Sequence, residues 1–119
     1  MESMSLPPTH KEISCAEVRA RLEGGRPVRL ADVRQPWEYE RGHIPGALQL
    51  PLDEFAARFA LELDPAEEII CVCEHGIRSA AAARYLAAQG YPNVATMTGG
   101  MAEYAGLVEV GDRTSGAHD

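Results

Sequence analysis

Short apolar runs alternate with helix-patterned segments along this chain, and that alternation restricts the folds open to it more than any other feature. Runs with strand character cover residues 28–32, 47–50, 68–73 and 94–97. Helical spacing marks residues 52–61, where Phe55 and Phe59 lie on one face, and residues 79–89, closed by Gly90. Another short helix opens at Ser14-Cys15-Ala16-Glu17, which has the form of a capping box, and stops at Gly24-Gly25. Pro36 starts a turn or short helix through Glu40, and Gly42-His43-Ile44-Pro45-Gly46 is punctuated as loop. Strands alternating with helices predict an α/β fold, a mostly parallel sheet with helices on both faces. The run Ile69-Ile70-Cys71-Val72 is the most apolar and is expected at the centre of that sheet.

A chain of 119 residues has room for one hydrophobic core and one domain. Residues 1–10 are expected to form a flexible lead-in, 11–107 the domain, and 108–119 a polar, flexible tail. Eleven basic against 18 acidic residues give a net charge of −7, and there is no basic run. This balance argues against nucleic acid and against an anionic membrane surface as partners. No apolar run approaches the length of a membrane span, and no basic start with an apolar core suggests a signal peptide. Three cysteines, Cys15, Cys71 and Cys73, do not make a disulfide framework. A reducing, cytoplasmic compartment is the expectation.

In parallel sheets, ligands gather outside the carboxyl ends of the strands. Cys73 falls at one such end, Asp32 at another, and Gly99-Gly100 just beyond a third. The segment Cys73-Glu74-His75-Gly76-Ile77-Arg78-Ser79 joins the most apolar strand to an alanine-rich helix. A strand–turn–helix junction aims backbone N–H groups and the positive end of the helix dipole at one spot. A cysteine there is favoured in its nucleophilic thiolate form. Glu74, His75, Gly76, Ile77 and Arg78 would line its cradle. Gly76 permits a positive φ, and Arg78 offers charge to an anionic donor or pairs with Glu74 or Asp32. Glu74 is expected to point away from the sulfur. Asp32 and Arg34 form a pocket wall or, preferably, a turn-capping Asp with the Arg held beside it. His43 is read as a structural loop residue, and Trp37 and Tyr39 as packing. Cys15 is expected as a small buried residue. A Cys71–Cys73 disulfide suits strand geometry poorly, and Cys71, Cys73 and His75 do not match zinc spacings. No metal and no cofactor are expected.

Three spaced motifs then resemble one family. Ala31-Asp32-Val33-Arg34 with Trp37-Glu38-Tyr39 and Gly42 to Ala47, the Cys73–Ser79 loop, and Gly99-Gly100 followed by Tyr104 are similar to the signatures of rhodanese-like domains, in the family's order. Tyr104 stands where many members have Trp. The resemblance implies a five-stranded, mostly parallel sheet and a sulfurtransferase that carries sulfane sulfur as a persulfide on Cys73. Its donor would be a small molecule such as thiosulfate, and its acceptor cyanide, a thiol or a protein. A monomer or weak homodimer is expected. Two alternatives stand beside this reading. One is a non-catalytic or regulatory module on the same fold. The other is a phosphatase or arsenate-reductase-like enzyme, whose loops have five residues between Cys and Arg. Here only four separate Cys73 from Arg78, which suits one sulfur atom better than a phosphoryl group.

Overall fold

The computed structural model describes residues 9–111. In chain order the elements are β1 (Lys11–Ser14), α1 (Cys15–Glu23), β2 (Arg29–Asp32), α2 (Pro36–Arg41), β3 (Leu48–Gln49), α3 (Leu52–Glu62), β4 (Ile69–Val72), α4 (Ile77–Ala88) and β5 (Val94–Thr98). All strand pairs are parallel, in the order β1-β5-β4-β2-β3. The α/β architecture and the central place of β4 agree with the sequence reading. The strand β1 was not foreseen. Its sequence is Lys-Glu-Ile-Ser and only Ile13 is buried, so no apolar run announces it. It is an edge strand held by its register with β5, Ile13 opposite Met97.

Alternation along β4 feeds two cores. Ile69 and Cys71 face one side with Ala82, Ala83 and Leu86 of α4 and Phe55 of α3. Ile70 and Val72 face the other, with Val18 of α1 and Tyr39 of α2. A strand buried on both faces must be apolar throughout, which is what β4 is. The alanines of α4 bring its axis close to the sheet, and Ala82 and Ala83 are fully buried there.

Topology locates the site. The chain leaves β2 through α2 toward the β3 edge, and leaves β4 through α4 toward β5 on the opposite side. Adjacent strands whose crossovers diverge open a crevice at their carboxyl ends. β2 and β4 are such a pair, in register from Arg29 opposite Ile69 to Asp32 opposite Val72. The crevice therefore lies between the segment after Asp32 and the segment after Val72.

Two boundaries differ from expectation. Helix α4 begins at Ile77, two residues before Ser79, because Gly76 caps it in the left-handed region at φ 98°. At the other end, the chain beyond residue 107 was expected to fray. Glu109 instead exchanges two backbone hydrogen bonds with His43, of 2.9 and 2.8 Å, and the Gly111 N–H donates to the Glu40 carbonyl at 2.7 Å. Residues 1–8 and 112–119, covering most of the expected lead-in and tail, lie outside the described residues.

Candidate active site

Cys73 follows the last residue of β4, and its side chain is almost wholly buried. The loop after it turns back so that the Gly76 N–H donates to Cys73 Sγ at 3.0 Å and the Ser79 N–H donates at 3.2 Å. The Cys73 thiol in turn donates to Ser79 Oγ at 3.3 Å. Ser79 Oγ is fixed by Thr96 Oγ1 on β5 at 2.7 Å and donates to the Gly76 carbonyl at 3.3 Å. The sulfur thus sits at the amino end of a twelve-residue helix, facing two backbone donors and one hydroxyl. Such an arrangement stabilises negative charge on sulfur, and the Arg78 guanidinium adds a favourable coulombic interaction with it. It is also rigid, because each donor is part of the backbone or pinned by β5.

A second segment closes on the loop. The Met101 N–H donates to the Cys73 carbonyl at 2.8 Å, and the Ala102 N–H donates to the Glu74 carbonyl at 2.9 Å. These bonds need Gly100 pressed against the loop. Its φ is +67°, and a Cβ there would fall 2.6 Å from the Cys73 carbonyl oxygen and closer still to the Glu74 carbonyl. The convergence of Gly99-Gly100 with Cys73 at one sheet edge is therefore a backbone contact.

The charged residues are paired. Asp32 and Arg34 are buried together, with Arg34 Nε and Nη2 each 2.9 Å from an Asp32 carboxylate oxygen. Arg34 also donates to the Gly42 carbonyl at 2.8 Å and to Glu74 Oε1 at 3.0 Å. This is the expected Asp-held Arg, with an added tie to the loop that draws the Glu74 carboxylate away from the sulfur. Arg78 is hydrogen-bonded by neither Glu74 nor Asp32. Its guanidinium donates to both oxygens of Glu38, at 2.7 and 2.8 Å. The Arg78 hydrogen bonds hold the Glu38 carboxyl down at about 2. His75 and Ile77 are exposed at the loop's outer side.

Of the sequence-nominated residues, Cys73 and Gly76 meet at the sulfur. Glu74, Arg34 and Asp32 form one ion-paired chain beside it, and Arg78 ties the loop to α2. His43 is structural as read: its ring stacks on Tyr39 at 3.7 Å, with Nδ1 2.8 Å from the Tyr39 carbonyl oxygen and Nε2 3.1 Å from Glu109. Tyr39 packs in the core, whereas Trp37 is 58% exposed on the rim. Cys71 is sealed in the core, its thiol pushed up to about 12 by burial, and it forms no disulfide. Cys15 is half-buried and donates toward the carbonyls of Thr98 and Gly100. Ser79, Thr96 and Glu38 were missed as site residues. A hydroxyl three positions beyond the capping glycine was a usable signal for Ser79. Glu38 stands inside the Trp37-Glu38-Tyr39 motif, but nothing local marks its partner Arg78, forty residues away. Among the described residues no three His, Cys, Asp or Glu side chains cluster as metal ligands, and no helix is long and apolar enough to cross a membrane.

Comparison with known proteins gives a consistent picture. The family described as Rhodanese-like domain matches residues 14–107. YrkF of Bacillus subtilis, whose name includes the words sulfur carrier protein, is 37% identical over 98 residues, 82% of this chain and 52% of that protein. Thiosulfate sulfurtransferase GlpE of Pseudoalteromonas translucida is 41% identical over 90 residues, 76% of this chain and 84% of that protein. A tRNA uridine(34) hydroxylase of Erwinia tasmaniensis is 36% identical over 98 residues, 78% of this chain but 28% of that enzyme. The crystal structure of a rhodanese-like domain protein from Staphylococcus aureus superposes with a TM-score of 0.78 at 30% identity, covering 86% of this chain and 99% of that one. The chain thus spans about half of the first relative, most of the second and about a quarter of the third.

Proposed function

The chain belongs to the rhodanese-like domain family, and on that premise we propose that it is a sulfurtransferase that carries sulfane sulfur as a persulfide on Cys73. One observation carries this reading: the Gly76 and Ser79 N–H groups both point at Cys73 Sγ, at 3.0 and 3.2 Å. A sulfur held this way is an activated nucleophile and, once persulfidated, a stabilised anion.

The reaction runs in two halves. The Cys73 thiolate attacks the outer sulfur of thiosulfate; a new S–S bond forms, the old one breaks, and sulfite leaves with the bonding pair. The terminal sulfur of the persulfide is then taken by cyanide, forming thiocyanate, or by a thiolate, forming a new persulfide. In either case the Cys73 thiolate is regenerated and no outside oxidant is needed. Through both halves the helix terminus and the Ser79 hydroxyl face the negative sulfur. Arg78 acts by fixing the loop through Glu38, while Arg34 and Asp32 hold Glu74 away from the anion. His75 and Ile77 face outward and contribute to the mouth. In this reading the domain comprises residues 11–107 with the segment through Gly111 paired onto it, works in the cytoplasm with its thiols reduced, and acts as a monomer or weak homodimer.

The test is to incubate the protein with thiosulfate and weigh it. The proposal predicts a gain of one sulfur atom, removed by cyanide and missing in Cys73→Ser. Thiocyanate formation that survives Cys73→Ser at full rate would overturn it. Hydrolysis of an aryl phosphate that depends on Cys73 would point to phosphoryl chemistry instead.

A further inference from the structure

A cavity of about 520 Å³ lies beside the sulfur loop, lined by Arg34, Trp37, Glu38, Arg41, Glu74 and Met101 among others. Its volume falls within the ordinary range for a small-molecule site. One end is bounded by Glu74, the residue after Cys73, and by Met101, whose N–H bonds the Cys73 carbonyl. The cavity therefore reaches the residues on either side of the Cys73 carbonyl, one chain position and one hydrogen bond away from Cys73.

Its charged walls are not equivalent. Arg34 is taken by Asp32 and Glu74, and Glu38 by Arg78. Arg41 is the exception. Its guanidinium carbon lies 5.7 Å from the centre of the Trp37 ring, and among the described residues it has no carboxylate partner. Both side chains project from α2 and are exposed, Trp37 by 58%. A guanidinium held against an aromatic face, with its donors unspent, is suited to a carboxylate, and the ring beside it to the carbon skeleton that bears that carboxylate. Met101 and Tyr104 supply further apolar wall.

We propose that this cavity is the subsite for the sulfur acceptor, and that it selects a small thiol bearing a carboxylate, with Arg41 binding the carboxylate and Trp37 packing against the carbon chain. The inference rests on the sulfurtransferase reading and adds the acceptor's class to it. The step it serves is balanced. The acceptor thiol loses its proton to solvent and attacks the terminal sulfur of the Cys73 persulfide. The Cys73 S–S bond breaks, its electron pair stays on Cys73 Sγ, and the acceptor leaves as a persulfide. Arg41 and Trp37 are specificity residues in this scheme; neither touches the sulfur being transferred.

Two measurements test it. Trp37 is the single tryptophan of the chain, so its fluorescence reports on the cavity without any turnover. S-methyl mercaptopropionate, which cannot accept sulfur, is expected to change that fluorescence saturably, and S-methyl mercaptopropanol to do so only at much higher concentration. Arg41→Gln is expected to remove the difference. In turnover from thiosulfate, wild type is expected to prefer mercaptopropionate to mercaptopropanol, and Arg41→Gln to reduce that preference by about threefold or more through KM, with Arg41→Glu reducing it further. Equal fluorescence responses to the two thioethers, or a preference unmoved in both Arg41 variants, would overturn the subsite. Thiocyanate formation without any carboxylate preference defeats this inference alone. Absence of any sulfur uptake on Cys73 defeats the sulfurtransferase reading and the acceptor assignment with it.

Discussion

Gly100 is the position where the loop's architecture can be broken with the least chemical change. In Gly100→Ala the added methyl meets two penalties. The first is conformational: φ is +67°, and a non-glycine residue in the left-handed region costs about 1–2 kcal/mol. The second is steric. The new Cβ would lie 2.6 Å from the Cys73 carbonyl oxygen and also against the Glu74 carbonyl, both of them backbone. Neither can rotate aside, so Gly100 must withdraw from the loop. Withdrawal stretches the bonds from the Met101 and Ala102 N–H groups to those same carbonyls. Two net hydrogen bonds add about 1–3 kcal/mol, giving a total of about 2–5 kcal/mol. Gly25→Ala is the control. Gly25 has φ +73° but nothing within 4 Å of its would-be Cβ, so only the conformational cost of about 1–2 kcal/mol applies. Urea unfolding of both variants measures the difference, and the rate of persulfide formation from thiosulfate measures its effect on the loop. Gly100→Ala should be the less stable of the two and should take up sulfur more slowly than wild type. Equal destabilisation, with wild-type sulfur uptake in Gly100→Ala, would refute the claim that this glycine seats the loop.

Three further outcomes are expected. Arg34→Met leaves Asp32 buried and uncompensated, which should cost about 3–5 kcal/mol of unfolding free energy, and the double variant with Asp32→Asn should recover part of that loss. The Glu38 carboxyl sits at about 2 against an ordinary 4.5, so its pairing stabilises the fold fully above pH 4.5 and fades as pH falls toward 2. With solvent screening of this partly exposed pair, acid titrations of stability should therefore lose about 1 kcal/mol across that window in wild type, and markedly less in Glu38→Gln. Cys71 is sealed in the core with its thiol near 12, so iodoacetamide should leave it unmodified in the native protein, and mapping the alkylated peptides checks this.

The sequence carried the architecture because the decisive signals were local. The apolar run of β4 announces a strand buried on both faces. Gly76 marks the left-handed cap, and the Cys73 position at the strand's end places the sulfur. The paired glycines at 99 and 100 pointed to the same sheet edge, though only the structure shows that Gly100 touches the Cys73 and Glu74 carbonyls. What stayed hidden was pairing between distant segments. β1 has one buried residue and exists because β5 offers it a ladder. Arg78 sits on α4 and meets Glu38 on α2 only after the sheet has formed. Arg34 was read as held by Asp32, yet its reach to Glu74 depends on β2 and β4 being neighbours. The pairing of His43 with Glu109 likewise brings the chain after residue 107 back to the loop after α2, with no local pattern to foretell it.

We propose that backbone donors at the start of α4 make Cys73 the carrier of one transferable sulfur atom. Mass measurement after thiosulfate treatment tests it most directly, on wild type, Cys73→Ser and Arg78→Gln side by side. The expected result is one added sulfur atom on wild type and none on Cys73→Ser. A slowed but real addition is expected on Arg78→Gln, whose sulfur keeps the Gly76 and Ser79 donors. Sulfur carried on Cys15 or Cys71 instead, or its complete loss on removing the Arg78 charge, would contradict the account.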